Sequence, residues 1–218
     1  NDRAQLLPQL YMNRAVDYTF APGSSIKPFF IAAALMSGRY NDHSIVNTSP
    51  GYIDVQGHIF RDETDLGPID IATILAVSSN VGMAHVALSL PRSLIWKTLH
   101  DFGFGRLAAP GYPGEPTGAL LPYKDWRPIR IATMSHGYGL TVTALQLAHA
   151  YATLGAFGLE RPISFLRENT PPPGRRIMPA ALARELLHMM LGVASPHGTA
   201  PAAAIPGYIV AGKTGTSW

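Results

Sequence analysis

Residues 24–38, SSIKPFFIAAALMSG, form the segment that most restricts the possible fold. Apolar side chains occupy nearly every position after the first turn, so a helix here is apolar on almost all of its faces. Such a helix is stable only when other elements surround it. Pro28 falls in the first turn, where proline is tolerated, and Gly38 is a typical residue at a helix C-terminus. The segment therefore predicts a helix buried inside a larger body.

The same helix carries Ser24 and Lys27, which lie three positions apart and so share one face. The chain has only four lysines among its 17 basic residues. A buried lysine near another cation has a lowered pKa and can activate a serine hydroxyl, whereas an arginine stays protonated. The pair predicts an activated serine nucleophile. Taken alone, it is equally typical of a serine at a helix N-terminus with a lysine on the surface.

A second candidate motif is the run Ser78, Ser79 and Asn80. Residues two apart diverge on a helix, so Ser78 and Asn80 can reach one site only from a turn. There the Ser78 hydroxyl could relay a proton and the Asn80 amide could hold a lysine or a substrate carbonyl. The ordinary interpretation of such a run is a helix cap.

The third candidate motif, Lys213-Thr214-Gly215-Thr216, lies in the β-branched stretch GYIVAGKTGTS, predicted as a strand over residues 207–217. Glycine weakens a strand interior, and close approach of a ligand backbone is one reason for its presence. Thr214 and Thr216 could then bind a terminal carboxylate, and the Thr216 amide could face an oxyanion. The alternative is a strand that ends in a glycine turn.

Composition narrows the function classes. A net charge of +3 with scattered basic residues argues against a nucleic-acid surface. Without cysteine there are no disulfides or thiolate metal sites. The histidines lack paired-ligand spacing, and we assign no metal and no cofactor. The longest apolar run, FFIAAALM, is too short to cross a bilayer.

Helical patterns dominate the rest of the chain, and no repeat is present. YIDVQGHIF predicts a small hairpin, and RPISFLRENTPPPGRR predicts a strand followed by a proline-rich connection. The predicted fold class is α+β, a helical body with an incomplete antiparallel sheet. Five further helical pieces are predicted in IDIATILAVSSN, VGMAHVALSL, RSLIWKTLHDFGFG, VTALQLAHAYATLGAFG and PAALARELLHMMLGVAS.

The three motifs occur in the order that characterises penicillin-binding proteins and class A β-lactamases. The surrounding stretches FAPGSSIKPFFIAAAL, SSNVGMAHVAL, ATMSHGYGLTVTALQLAHAYATLGAFG and IPGYIVAGKTGT resemble the transpeptidase domain of class B penicillin-binding proteins. LERPISF, PPPGRRIMP and ELLHMMLGVASPHGTAPAAAIPGY resemble its cell-division (septal) type in particular. The chain is thus similar to a peptidoglycan D,D-transpeptidase over nearly its whole length.

The resemblance implies roles for individual residues. The family nucleophile falls on Ser24 and its paired lysine on Lys27. Ser78 and Asn80 match the second motif, with Ser78 a second candidate for the general base. The third motif falls on Lys213, Thr214, Gly215 and Thr216, while His136 and Tyr138 edge the cleft by analogy. Without the resemblance, Tyr138 is equally interpreted as a packing residue and His136 as a partly exposed histidine.

The resemblance also implies partners and a location. The partners are donor and acceptor stem peptides, β-lactams, and a septal glycan polymerase with other membrane proteins of the division machinery; nucleic acid is not among them. The parent protein would be anchored in a bacterial inner membrane with its catalytic domain in the periplasm. Residues 1–218 would be a partial domain that lacks an N-terminal strand pair and the strands after the KTG strand. We expect such an isolated piece to fold poorly or aggregate.

Other enzymatic and non-catalytic functions remain open from the sequence. A serine β-lactamase needs an acid to activate water, and Glu115 is the acid in a plausible loop; a D,D-carboxypeptidase differs only in using water as acceptor. A non-catalytic β-lactam sensor or a scaffold of the division machinery is the alternative from another class. Such a scaffold would have no need of a lysine three residues after a serine.

Overall fold

The computed structural model describes residues 12–109 and 112–216, and most of its regular structure is helical. The α-helices are α1 (Arg14–Asp17), α2 (Lys27–Met36), α3 (Ile71–Ala76), α4 (Asn80–Ser89), α5 (Arg92–Asp101), α6 (Pro128–Ser135), α7 (Ala144–Gly155) and α8 (Ala180–Leu191). The strands are β1 (Thr19–Phe20), β2 (Ile45–Asn47), β3 (Tyr52–Val55), β4 (His58–Arg61), β5 (Pro68–Asp70), β6 (Val142–Thr143), β7 (Leu159–Glu160) and β8 (Arg175–Arg176). Short 3-10 turns cover Gly23–Ile26, Tyr123–Asp125, Gly192–Ala194 and Pro201–Ala203.

Helix α2 is the centre of the core, as its composition predicts. Every residue from Lys27 to Leu35 is buried. The ring of Phe29 lies 5.0 Å from those of Phe102 and Phe104 and 5.3 Å from that of Tyr151. Edge-to-face aromatic contacts of this kind add to the burial energy and fix side-chain positions. The core therefore holds α2 rigidly, and with it the residues at its N-terminus.

The strands form separate two-stranded antiparallel pairs around the helical body. The pairs are β1 with β6, β2 with β5, β3 with β4, and β7 with β8. The β3–β4 pair is the hairpin that alternating YIDVQGHIF predicts, and Val55 pairs with His58 at its tip. The α+β class is confirmed, although the described strands form several small pairs rather than one sheet.

All six predicted helices are confirmed, and α1 and α6 were missed. The break at residues 78–79 separates α3 from α4, and α2 ends at Met36, two residues before the predicted Gly38, whose φ is 70°. Helix α6 follows Arg127 with Pro128 in its first turn. Its sequence, PIRIATMS, is short and begins with proline, and we identified no helical pattern in it.

Two strand predictions are wrong. The strand expected in RPISF is instead the two-residue β7, which ends at Glu160 just before it. The stretch around Lys213 contains no strand among the described residues, and residue 217 of the predicted strand lies outside them. A strand is defined by its ladder of hydrogen bonds, and β-branched composition cannot supply a neighbour for it. In the described residues, no helix has the length and apolar character needed to span a bilayer.

Candidate active site

Ser24 lies in the 3-10 turn Gly23–Ile26 that leads into α2. Lys27 follows this turn directly as the first residue of α2, and its amide donates to the Ser24 carbonyl. Residues three apart in such a turn lie on the same side, so Ser24 and Lys27 share one face. The Tyr151 hydroxyl donates to the Ser25 carbonyl at 2.8 Å, which ties the turn to the aromatic core. The candidate nucleophile Ser24 therefore lies in a turn whose backbone is held by a hydrogen bond from the core.

Close backbone contacts at three glycines hold this turn against two other segments of the chain. A Cβ at Gly23, whose φ is 55°, would lie 2.2 Å from the Thr216 carbonyl oxygen. A Cβ at Gly137, whose φ is 85°, would lie 1.9 Å from the Gly23 carbonyl oxygen. A Cβ at Gly215 would lie 3.2 Å from the Pro22 carbonyl oxygen, closer than an ordinary contact. The glycine of the third motif thus allows approach of the protein's own nucleophile turn, whereas the sequence suggested approach of a ligand.

Lys27 is fully buried and joins the first motif to the second. Its Nζ donates to the Ser78 carbonyl at 2.6 Å, the Ser78 Oγ at 3.1 Å and the Asn80 Oδ1 at 2.9 Å. The surface lysine that an isolated S-x-x-K motif would suggest is therefore wrong. Burial, and secondarily the nearby Lys213 cation, lowers the pKa of Lys27 to about 7. Near neutral pH its amine is available in both protonation states, as a general base requires.

The second motif begins in a turn, which is what Ser78 and Asn80 need in order to reach one site. Ser78 has a φ of 61° between α3 and α4, and the Ser79 hydroxyl caps α4 by accepting from the Gly82 amide at 2.9 Å. The Asn80 amide is fixed at both ends, because Oδ1 accepts from Lys27 and Nδ2 donates to the Arg61 carbonyl at 3.2 Å. Of its two sequence-based roles, holding the lysine is the one that this arrangement supports.

His136 is only 7% exposed, which contradicts the alternative of a partly exposed histidine. Its ring stacks on Phe60 of the β3–β4 hairpin at 4.8 Å, and its Nε2 lies 3.0 Å from the Asn80 carbonyl oxygen. Burial, followed by the Lys27 cation, lowers the pKa of His136 to about 4. The ring is therefore neutral at pH 7, and because a carbonyl only accepts, Nε2 carries the proton. The Tyr138 hydroxyl donates to the Thr216 carbonyl at 3.4 Å.

The third motif supplies a second, half-buried cation. The Lys213 Nζ donates to Thr214 at the carbonyl oxygen (3.2 Å) and at Oγ1 (3.0 Å). Burial lowers the pKa of Lys213 to about 8. Its charge in turn opposes protonation of Lys27. Two lysines close together in a poorly solvated region thus hold the Lys27 amine near its neutral form.

A cavity of about 690 Å³ brings the motifs together. Eight of the ten candidate residues line it, while Lys27 and Lys213 are not among its lining residues. The eight are Ser24, Ser78, Asn80, His136, Tyr138, Thr214, Gly215 and Thr216. A hydroxyl, one buried amine, one half-buried amine and a row of polar groups around one cavity can perform nucleophilic attack on a carbonyl with proton transfer to a lysine.

Glu115 is not part of this arrangement. Its carboxylate accepts from the Ala108 amide at 2.6 Å and the Ala109 amide at 3.0 Å, and so it fixes a distant loop. It is not among the cavity-lining residues. The β-lactamase alternative therefore loses the acid that the sequence offered for water activation.

Asp62 is a site residue that sequence reasoning missed. Its carboxylate accepts from the Ser79 hydroxyl at 2.6 Å and from the backbone amides of Asn80 and Val81. It thus occupies the N-terminus of α4, where a negative charge is favoured. No motif marked it, because it lies on the loop after β4, far from Ser79 along the chain. Only the tertiary contact between that loop and α4 identifies it.

Replacing Asp62 with asparagine should loosen the turn of the second motif. We expect unfolding to become easier by about 1–3 kcal/mol, since hydrogen bonds to a charged group are lost. Asp62 also raises the pKa of Lys27, so the acid limb of the acylation-rate profile should move to lower pH. Urea denaturation and rates of acylation by a fluorescent penicillin measure the two effects. The control is the exposed Asp125→Asn on the Tyr123–Asp125 turn, and equal behaviour of the two variants would contradict the assignment.

The family comparison agrees with this geometry. Residues 1–217 match the family described as "Penicillin binding protein transpeptidase domain". The chain is 40% identical over 205 residues to Peptidoglycan D,D-transpeptidase FtsI of Escherichia coli K12, covering 94% of this chain and 34% of that protein. It is 38% identical over 217 residues to the Pseudomonas aeruginosa protein named "Probable peptidoglycan D,D-transpeptidase PbpC", covering all of this chain and 38% of that one. The chain therefore spans about a third of the length of these relatives.

Solved structures have the same fold as this chain. The apo TP domain of Burkholderia pseudomallei penicillin-binding protein 3 is similar at a TM-score of 0.91 and 37% identity, over 94% of this chain and 63% of that one. A Burkholderia ambifaria structure titled a peptidoglycan glycosyltransferase also has a TM-score of 0.91, at 35% identity over 95% of this chain and 66% of that chain. With the motif geometry, the family match shows that this chain belongs to the penicillin-binding protein transpeptidase domain family.

Proposed function

We propose that the protein is a serine D,D-transpeptidase that cross-links peptidoglycan stem peptides through an acyl-enzyme on Ser24 and is acylated by penicillin. The observation that carries this proposal is Lys27, a buried amine with a pKa near 7 that follows Ser24 by three residues and is hydrogen-bonded to Ser78 and Asn80. Burying an amine costs free energy, and strongly shifted pKa values cluster at functional sites. A catalytic role therefore explains this lysine better than a purely structural one.

The first half-reaction is attack by the Ser24 hydroxyl on the carbonyl carbon between the two terminal D-alanines. The hydroxyl proton passes to the neutral Lys27 amine, directly or through the Ser78 hydroxyl. The backbone amides of Ser24 and Thr216 stabilise the oxyanion, and Thr214 with Thr216 binds the terminal carboxylate beside the Lys213 cation. Collapse breaks the amide bond, the leaving nitrogen takes the proton that Lys27 received, and D-alanine departs.

The second half-reaction uses an amine from a neighbouring stem peptide. The amine attacks the Ser24 ester and gives a proton to the neutral Lys27 amine. A new amide bond forms, the ester bond breaks, and the Ser24 oxygen takes that proton from Lys27. Penicillin enters by the same first step, but its amide is part of a ring, so the leaving group stays attached. His136 and Tyr138 serve in this scheme by holding the Asn80 and Thr216 backbones at the cavity wall.

The relatives' names support the biological setting. Relatives named Peptidoglycan D,D-transpeptidase FtsI support our assignment of the protein to the septal branch of cell-wall synthesis. We place the catalytic domain in the periplasm, in a protein anchored in the bacterial inner membrane. A septal glycan polymerase and other membrane proteins of the division machinery are the partners that this setting requires, and the donor and acceptor stem peptides are the substrates.

The test is the fate of the acyl adduct. The intact protein should form a stoichiometric, long-lived adduct with fluorescent penicillin, which peptide mass spectrometry locates on Ser24. Nitrocefin should turn over slowly. With a donor peptide ending in D-alanyl-D-alanine, D-alanine release should produce a cross-linked peptide when an acceptor amine is added. Rapid nitrocefin hydrolysis would support a β-lactamase, release of D-alanine into water alone a carboxypeptidase, and absence of any adduct a non-catalytic scaffold.

A further inference from the structure

The cavity wall contains a threonine from outside the three motifs whose hydroxyl is hydrogen-bonded to the third motif. Thr199 lies in the loop PHGTAP, after α8, and lines the same cavity as Ser24. Its Oγ1 is 2.8 Å from the Oγ1 of Thr214 in the third motif. The two hydroxyls therefore form a hydrogen-bonded pair on the side of the cavity where Lys213 lies.

The backbone around Thr199 is fixed, although the loop has little regular structure. The Thr199 amide donates to the Ala76 carbonyl at 3.0 Å, two residues before Ser78 of the second motif. The Ala200 amide donates to the Val193 carbonyl at 2.8 Å. A Cβ at Gly198 would lie 2.2 Å from the Gly192 carbonyl oxygen, so the loop packs backbone against backbone. Thr199 is thus held between the second motif and the third.

The hydrogen-bond count shows what the pair can offer. The Lys213 amine donates to the Thr214 Oγ1 and uses one of its lone pairs. If Thr214 donates to Thr199, the Thr199 proton is unused; if Thr199 donates to Thr214, the Thr214 proton is unused. In either case one hydroxyl proton remains to be donated, and both hydroxyls line the cavity.

A donor of this kind beside a lysine suits an anionic oxygen. Hydrogen bonds to ionised groups are about twice as strong as those between neutral groups. The scissile amide of the proposed substrate is followed by a carboxylate, and penicillin carries a carboxylate next to its reactive ring amide. We infer that Thr199 is a substrate-binding residue that, paired with Thr214, binds the carboxylate next to the attacked amide. This inference rests on the proposed function and adds a residue to its binding site.

The experiment compares Thr199→Val with Thr199→Ser in the intact protein. Valine keeps the shape and removes the hydroxyl, whereas serine keeps the hydroxyl. We expect Thr199→Val to lower the second-order rate of acylation by a penicillin at least about tenfold, the effect of losing one charge-assisted hydrogen bond. The rate for the methyl ester of the same penicillin should change little, because the ester has no charged oxygen. Thr199→Ser should retain the ratio of the two rates.

The matched control is Thr64→Val, which removes a hydroxyl from another part of the same cavity wall. It should leave the acid-to-ester ratio unchanged. Equal loss of both rates in Thr199→Val would indicate a structural role, and no loss would indicate no role; either result overturns the inference. Wild-type protein that forms no adduct would overturn the proposed function itself and this inference with it.

A peptide substrate separates the two sources of the carboxylate. Thr199→Val should need about tenfold more donor peptide for half-maximal release of D-alanine, with the maximal rate largely kept, since the lost contact is a binding contact. A response with penicillin and none with the peptide would restrict the contact to β-lactams and overturn the inference for the peptide substrate.

Discussion

Replacing Ser24 with alanine is expected to abolish covalent labelling by penicillin and to reduce D-alanine release by a factor on the order of 10⁴ or more. The substitution removes the atom that forms the ester, and no other described group takes its position at the start of α2. The turn itself should persist, because Tyr151 and the glycine contacts hold its backbone and none of them uses the Ser24 side chain. Gel fluorescence and mass spectrometry measure the adduct.

The matched control is Ser37→Ala at the other end of α2. The Ser37 hydroxyl donates to the Ala34 carbonyl at 2.5 Å and has no part in the cavity, so labelling should be unchanged. Adduct formation by Ser24→Ala at the wild-type rate would refute the assignment of the nucleophile. If the variant still binds division proteins while it fails to label, a scaffolding role exists beside the catalytic one.

Replacing Lys27 with arginine should slow acylation about 10²–10⁴-fold, the usual contribution of a general base. Arginine keeps the positive charge but stays protonated at any ordinary pH, so it cannot accept the Ser24 proton. It is also too large for a fully buried position whose amine already has acceptors at 2.6 and 2.9 Å. A thermal melt is therefore measured beside the rate, and Lys27→Met, which fits the space without a base, should be equally slow.

The pH dependence distinguishes loss of a base from simple misplacement. Only the neutral amine accepts a proton, so the wild-type acylation rate should rise with pH through about 7 and then level off. The rise should be absent from the residual activity of Lys27→Met. The exposed Lys97, paired with Asp101 on α5, provides the control, and Lys97→Arg should keep the wild-type rate and profile. A Lys27→Arg variant within tenfold of wild type would transfer the role of base to Ser78.

The local sequence determined the elements that depend on near neighbours. The apolar run after Ser24 determined a buried central helix, because no arrangement in water leaves all of its faces exposed. The break at Ser78 and Ser79 predicted a turn between two helices, and the alternation in YIDVQGHIF predicted the β3–β4 hairpin. The three motifs also identified the family, since each contributes a residue type that acyl transfer requires.

Strand pairing and several site contacts were decided by the tertiary structure. The stretch that carries Lys213 has the composition of a strand but has no strand partner in the described residues. Conversely, β6 is a strand that the sequence could not predict, because two residues are too few to show a periodic pattern. Asp62 and Thr199 were missed for a related reason: each acts through residues far away in sequence, Asp62 through Ser79 and Thr199 through Thr214. A carboxylate or a hydroxyl in a loop has no pattern of its own until its partner is known.

The pKa of Lys27 shows most clearly which properties follow from the sequence and which from the tertiary structure. The sequence determined that a lysine follows Ser24 by three residues, and so that the two could act together. Its depth of burial and the approach of Lys213 come from segments nearly two hundred residues apart along the chain. Desolvation and charge proximity depend on distance in space, so only the folded structure could convert an ordinary lysine into one that exchanges its proton near pH 7.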